Sequence, residues 1–423
     1  MPGERTTRDG LRWLRPLAPA ALILGVQLAA FPVPAGVFLR GLLIGGLTGL
    51  LAIGLALTYR SHRVIDFAHA ELGVAPVVLT FLLRTVWGWP YAVAAGTGAV
   101  AAAALGAVVE LAVIRRFHRA PRLVLTVATI GLAQVLSAVA LVLPRAFGEE
   151  RLLAGRLDAP FGWRGPFGGV VFDANDLLAA LAVPTAVAAV AVFLRSSTLG
   201  IAVRAAADDA DRAASLGVPV KRAHTVVWAL AGLLAFLAVF LRAGMLGLPV
   251  TSALGFAVLL RALAALVIGR LSELGTIVAT SLALGVLELG VAWNTDSAQL
   301  IDPILALAIV LALVARRRTS TRVDADSSSW RALDEPRPVP VVIRRRPAVR
   351  AARWAVTALV SGAAVAAPHV LSVDRSTKAA VVLIYALLGL SVVVLTGWSG
   401  QVSLGQIGFF ALGACLGAEA TTD

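Results

Sequence analysis

Apolar runs close to the thickness of a bilayer recur along this chain, and they leave it few folds to adopt. They lie at about 16–32, 41–59, 72–87, 90–114, 121–143, 176–194, 225–241, 254–269, 275–293 and 301–315, then at 354–371 and 378–396, with an apolar remnant at 404–418. A spanning helix needs about 20 mostly apolar residues, and only helices or closed barrels satisfy every backbone group in lipid. The expected fold class is therefore all-α, a polytopic integral membrane protein with about ten transmembrane helices in a first unit and two or three in a partial second unit. Only 14% of the residues are charged and mean hydropathy is +0.87, whereas soluble chains carry about 25% charged residues.

The formal net charge of +13 would suit a nucleic-acid partner if it formed a patch. Here it lies in the loops between apolar runs, so nucleic acid is not expected. Alternating the spans from a cytoplasmic N-terminus places 27 of the 37 Lys and Arg residues on the inner side and 6 on the outer, as the positive-inside rule requires. The basic start before the first run has the form of a signal peptide. No A-x-A site follows it, so an uncleaved first helix is expected. The single Cys415 forms no internal disulfide.

Four segments are expected: a tail with an extra helix (1–39), a first membrane unit (40–317), a basic linker (318–353) and a partial second unit (354–423). The linker is polar, Pro-containing and Arg-rich, reading as flexible and cytoplasmic. Its attraction to anionic headgroups is incidental. A weak internal repeat aligns 54–73 with 389–413 and sets His69 opposite Gln406. Repeated units of this kind occur in transporters.

Three places carry polar chemistry. In "VIDFAHAELG" (64–73), Asp66, His69 and Glu71 fall within six residues between two apolar runs. A polar turn at that depth must be satisfied by protein or by a water-filled cavity. These residues either satisfy the turn or cap the 72–87 helix, or they line a substrate path. Arg261 sits inside an apolar span, where a charge usually pairs; Glu288 and Glu110 are its candidate partners, and pairing predicts that exchanging the charges restores function. The loop 195–224 holds an amphipathic helix over 201–216, then Gly217 as a stop and Pro219 beyond it. Such a helix either docks into a partner's groove or rests on the membrane surface.

This loop resembles the coupling loop of bacterial ABC-importer permeases, whose signature is E-A-A-x-x-x-G. Asp211-Arg212-Ala213-Ala214-Ser215-Leu216-Gly217 matches it with Asp for Glu and Arg for the first Ala. The longer stretch "STLGIAVRAAADDADRAASLGVPVKR" is similar to the branched-chain amino acid permeases of the LivH type. So are the 64–73 element, with Asp66 for Asn and Ala70 for Gly, and "LGFAVLLRALAALVIG" with Arg261. The match covers about 40–317. Residues 377–418 resemble the start of the companion LivM-type permease, so the chain looks like a fusion of the two, its second unit short of a complete permease.

The resemblance implies a transport subunit of an ATP-driven importer for branched-chain or related amino acids. Relatives in the same superfamily carry urea and short amides. It implies ABC ATPase subunits holding ATP and Mg²⁺, a companion permease, an extracytoplasmic binding protein and the bacterial cytoplasmic membrane. Arg204, Asp208, Asp209, Asp211, Ala213, Ala214 and Gly217 become the ATPase-coupling residues, and Asp66, His69, Glu71 and Arg261 the substrate-path or structural-turn residues. The chain itself is not expected to be an enzyme or to hold a cofactor. A P-loop needs G-x-x-x-x-G-K-[ST], and neither Lys221 nor Lys378 stands in one. No zinc spacing, dinucleotide fingerprint or nucleophile elbow is present. The competing reading is an ion-gradient-driven secondary transporter using Asp66, His69 or Glu71 as a proton site.

Overall fold

A computed structural model describes residues 17–117, 122–148, 155–247, 254–269, 271, 273–295, 300–304, 306–307, 310, 346–395 and 405–422. The chain divides into two units, 1–327 and 328–423. In the first, the helices are α1 (Ala18–Ala30), α2 (Ala35–His62), α3 (Glu71–Thr85), α4 (Tyr91–Ala112), α5 (Arg122–Ala146), α6 (Ala174–Ser196), α7 (Thr198–Asp208), α8 (Ala210–Ser215), α9 (Val220–Leu246), α10 (Leu254–Ile268) and α11 (Leu274–Asn294). The second holds α12 (Pro347–Val370), α13 (Val373–Val393) and α14 (Gln406–Thr422). Among the described residues, seven helices are long and apolar enough to span: α2, α4, α5, α6, α9, α11 and α13. The expected span at 301–315 lies largely outside the described residues, as does the linker up to residue 345. Its last residues, expected to be flexible, instead form the first turns of α12, which Pro347 opens at a position where a missing N–H costs nothing.

The core is built around α2. The most apolar stretch of α2 is 89% buried, whereas that of α6 is 17% buried. α11, α9, α10 and α6 all pack on α2, and α9 also gathers α3 and α4. Small residues permit this closeness. A Cβ on Gly45 would sit 2.5 Å from the Ser281 carbonyl oxygen and 2.7 Å from Leu282 Cα on α11. Gly285 faces the Gly45 backbone from the other side. Membrane helices associate through such close approach because lipid supplies no hydrophobic drive between them.

The bundle has two distinguishable ends. At one, β1 (Arg164–Phe167) and β2 (Val170–Asp173) form an antiparallel hairpin. Its turn, Gly168-Gly169, has φ of +54° and +84°, the left-handed pair that matches strand twist. Gly36 N–H at the start of α2 donates to the Gly168 carbonyl at 3.2 Å. Asp173 caps α6, accepting from Asn175 and Asp176 N–H, while Asp176 accepts from Asp173 N–H. Arg156 pairs with Asp173 and reaches the Gly244 carbonyl at 2.6 Å at the end of α9. Burial alone would raise the Asp173 pKa. The hydrogen bonds from Arg156 and from backbone N–H groups, with the Arg156 charge, outweigh it and hold the carboxyl below its ordinary value. Asn294 closes this end by donating to the Pro32 carbonyl at 3.1 Å.

At the other end, the C-termini of α2 and α6 meet α7 and the N-termini of α9 and α11 around a shared cavity. Arg60, Arg195, Arg204, His224 and Leu274, from three of the segments expected on one membrane side, line it. In the second unit, α13 packs against α12 and α14, and Gln406 donates to Ser391 Oγ at 3.0 Å.

Replacing Gly45 by Ala tests the α2–α11 contact. The methyl group gains about 1 kcal/mol of helix propensity but overpacks against backbone, a cost of about 1–3 kcal/mol. A lowered unfolding temperature in detergent is expected. Gly96→Ala, where nothing lies within 4 Å, should not lower it.

Candidate functional site

The loop between α6 and α9 is two helices, not the single one expected over 201–216. Asp209 divides them. Its backbone is extended (φ −148°, ψ 105°), and its carboxylate accepts from Arg212 N–H at 3.0 Å, capping α8. Aspartate competes poorly in a helix interior and well at an N-cap, so the second acid of the Asp208-Asp209 pair opens a new helix. α7 is capped in the same way by Ser197, whose hydroxyl accepts from Gly200 N–H at 2.8 Å. Gly217, at φ +84°, ends α8 as the spacing predicts. Val218 N–H bonds the Ala213 carbonyl and Gly217 N–H the Ala214 carbonyl, both at 3.0 Å, the paired bonds of a Schellman stop.

The two faces of this loop differ. Gly200, Val203 and Ala206 of α7 are buried, and α7 packs on α6, α9 and α2. Ala213 is the buried residue of α8. Arg204, Asp208, Asp209, Asp211, Ala214 and Gly217 are exposed, and Leu216 is 79% exposed. Of the coupling residues named from sequence, Ala213 thus faces the protein, Arg204 stands where the cavity shared with α2 and α6 opens, and the other five lie on the open side. Asp209 is also spoken for by the cap.

The polar turn lies in the bundle interior. Asp66, His69 and Glu71 are 2%, 0% and 6% exposed. Asp66 Oδ1 accepts from Ala68 N–H at 3.0 Å, and Phe67 N–H donates to Thr129 Oγ1 of α5 at 3.3 Å. Asp66 therefore does the turn-forming work. The second Asp66 oxygen lies 3.7 Å from His69 Nδ1. No side chain caps α3, so that expected role is not filled. His69 lies over Gly54 of α2, where a Cβ would stand 2.6 Å from Nε2, and the Glu71 carboxylate lies against Gly255 of α10. Glycines on two neighbouring helices leave the room these side chains occupy.

Arg261 does not join the turn. Its Nε lies 3.2 Å from Glu288 Oε2 on α11, and one of its terminal nitrogens 3.7 Å from Asp302. Arg242 of α9, not singled out from sequence, approaches Glu288 at 3.9 Å. A simple charge exchange would thus set the new Arg at 288 beside Arg242 and the new Glu at 261 beside Asp302, so it does not test the pair cleanly. Glu110 is engaged elsewhere: Arg115 contacts both its oxygens at 3.0 and 2.9 Å, and Thr225 Oγ1 donates to it at 2.9 Å. Arg63, in the left-handed region at φ +55°, reaches the Ala207 carbonyl at 3.4 Å. It links the start of the polar turn to the end of α7. Among the described residues, no cluster of His, Cys, Asp and Glu could hold a metal ion.

The residue pattern that defines the branched-chain amino acid transport system / permease component matches residues 37–314. The chain belongs to that family. Among relatives, the permease is 25% identical over 268 residues to "High-affinity branched-chain amino acid transport system permease protein LivH" of Escherichia coli (strain K12), covering 59% of this chain and 83% of the relative. The same figures hold for the protein of that name from Escherichia coli O157:H7. A solved structure described as an inward-facing conformation of a putative metal-chelate type ABC transporter aligns at TM-score 0.44 and 14% identity, over 72% of this chain and 99% of that one.

Two substitutions test these interior contacts. Gly54→Ala should lower stability in the native background and be tolerated when His69 is also Ala, read as a non-additive unfolding temperature. Glu288→Gln leaves two guanidinium groups without their shared acid. The expected loss is about 2–3 kcal/mol, below the 3–5 kcal/mol of a fully buried pair, measured by unfolding in detergent.

Proposed function

We propose that the permease is the membrane subunit of an ATP-driven ABC importer for branched-chain or related amino acids, seated in the bacterial cytoplasmic membrane with its N-terminus inside. An extracytoplasmic binding protein delivers substrate at the hairpin end. A companion permease completes the path. Separate ATPase subunits, carrying ATP and Mg²⁺, dock on the open face of α7 and α8.

The observation that carries this reading is the construction of that loop. Two capped helices are anchored on one side by Val203, Ala206 and Ala213 and present acids with Leu199, Ile201 and Leu216 on the other. A helix merely resting on lipid leaves no reason for the buried anchors. A groove-bearing partner accounts for both faces. ATP then favours one of two membrane conformations by binding preferentially to the ATPase arrangement that fits it.

Co-purification from the native membrane tests it. An ATPase pair should accompany the native chain and be lost when Asp211→Ala and Gly217→Val are combined, with the variant still folded. A chain that emerges alone in both forms, and whose uptake collapses with the proton gradient, would instead make Asp66, His69 or Glu71 a proton site and the protein a secondary transporter.

A further inference from the structure

Where α2, α6, α7, α9 and α11 meet, the first unit encloses a cavity of about 530 Å³. Its walls are aliphatic, including Leu57, Val187, Val203, Val227 and Leu282. Its polar contributions are of one sign or neutral: Arg60, Arg195 and Arg204, with Ser61 and His224, and no Asp or Glu. Arg195, Arg204 and Ala191 are exposed and mark where the cavity opens. Among the described residues, no carboxylate lies within salt-bridge distance of Arg60, Arg195 or Arg204. Three arginines thus line an apolar cavity, Arg195 and Arg204 at its opening, with no carboxylate in salt-bridge contact among the described residues.

We propose that this cavity binds an anionic phospholipid, its phosphate held by Arg60, Arg195 and Arg204 and an acyl chain lying along the aliphatic wall. The chemistry selects this occupant. A free amino acid would bring an ammonium group that no lining carboxylate meets. A free phosphate would leave the apolar wall wet. A zwitterionic lipid would fill the wall but bring a cation towards the arginines. Only an amphiphile with a net negative head satisfies both parts, and basic pockets between membrane helices recognise such heads. Arginine suits the task because its planar fork bonds phosphate oxygens in pairs.

The position gives the lipid a consequence. Arg60 belongs to the central helix α2, Arg195 to α6 and Arg204 to α7. A bound phosphate therefore ties α7 to the transmembrane core. The proposal requires a membrane protein but not a particular substrate or motor, so it can fail independently of the importer reading.

The test uses the full chain, purified and stripped of lipid in detergent, with native mass spectrometry and unfolding temperature as readouts. The probes are phosphatidylglycerol, phosphatidylcholine and inorganic phosphate. Phosphatidylglycerol should bind once per chain, about tenfold or more tighter than phosphatidylcholine, and phosphate alone should not raise the unfolding temperature. R60Q combined with R204Q should remove that preference. Ala279→Phe, which narrows the cavity without altering charge, should weaken phosphatidylglycerol binding while leaving the fold intact. Arg116→Gln, an exposed basic residue outside the cavity, should change nothing. Equal binding of the two lipids, stabilisation by phosphate alone, full binding by the Ala279 variant, or an equal loss in Arg116→Gln would each overturn the proposal.

Discussion

The backbone-to-backbone approach of α2 and α11 is the constraint on which the first unit depends. Gly45 and Gly285 let two helices touch without intervening side chains, so dispersion contacts along their length replace the hydrophobic drive that lipid denies them. That places α2 in the centre and leaves α4, α5 and α6 with faces towards lipid. It also sets where polar groups can be housed. The Asp66–His69 turn follows directly from the end of α2 and is held by Thr129 of α5, and His69 fits only because position 54 lacks a side chain.

Charge is distributed by the same logic. Buried or half-buried ions are found in groups that neutralise one another: Arg242, Arg261, Glu288 and Asp302 in one, Glu110 and Arg115 in another, Arg156 and Asp173 at the hairpin. An isolated charge at such depth would cost several kcal/mol. Arg60, Arg195 and Arg204 have no such partner among the described residues and instead share the lining of one cavity, at the end of the bundle where α7 and α8 sit.

Much of this was legible in the sequence, and the failures have physical causes. Within the described residues, the spans read from hydropathy fall on helices, seven of them long and apolar enough to cross, because a bilayer demands uninterrupted hydrogen bonding. Gly217 and Pro219 ended a helix where expected because a positive φ and a missing N–H act locally. The pairing of Arg261 with Glu288 rather than Glu110 was not decidable, since it depends on which helices become neighbours. The division of the loop at Asp209 was hidden by an amphipathic pattern that runs through both helices, and only capping chemistry at the second acid signals the break. The hairpin was passed over although "PFGGVVF" carries a Gly-Gly turn between apolar residues, the strongest local cue in that loop. Arg63 and Arg242 gave no signal, being ordinary basic residues near helix ends until the fold supplied their partners.

Asp209 is at once the end of α7 and the start of α8, and this gives the loop an elbow. α8 is an arm about 9 Å long, carrying the bare Leu216 near its tip, while α7 is clamped to the bundle. That arm is held at both ends, through Asp209 to α7 and through Gly217 to α9, so force on it would be shared between the two. Through the Arg63 link to Ala207, the same force would tug on the point where the central helix gives way to the buried polar turn. The loop is thus geared to the interior by two short connections, one covalent and one a hydrogen bond.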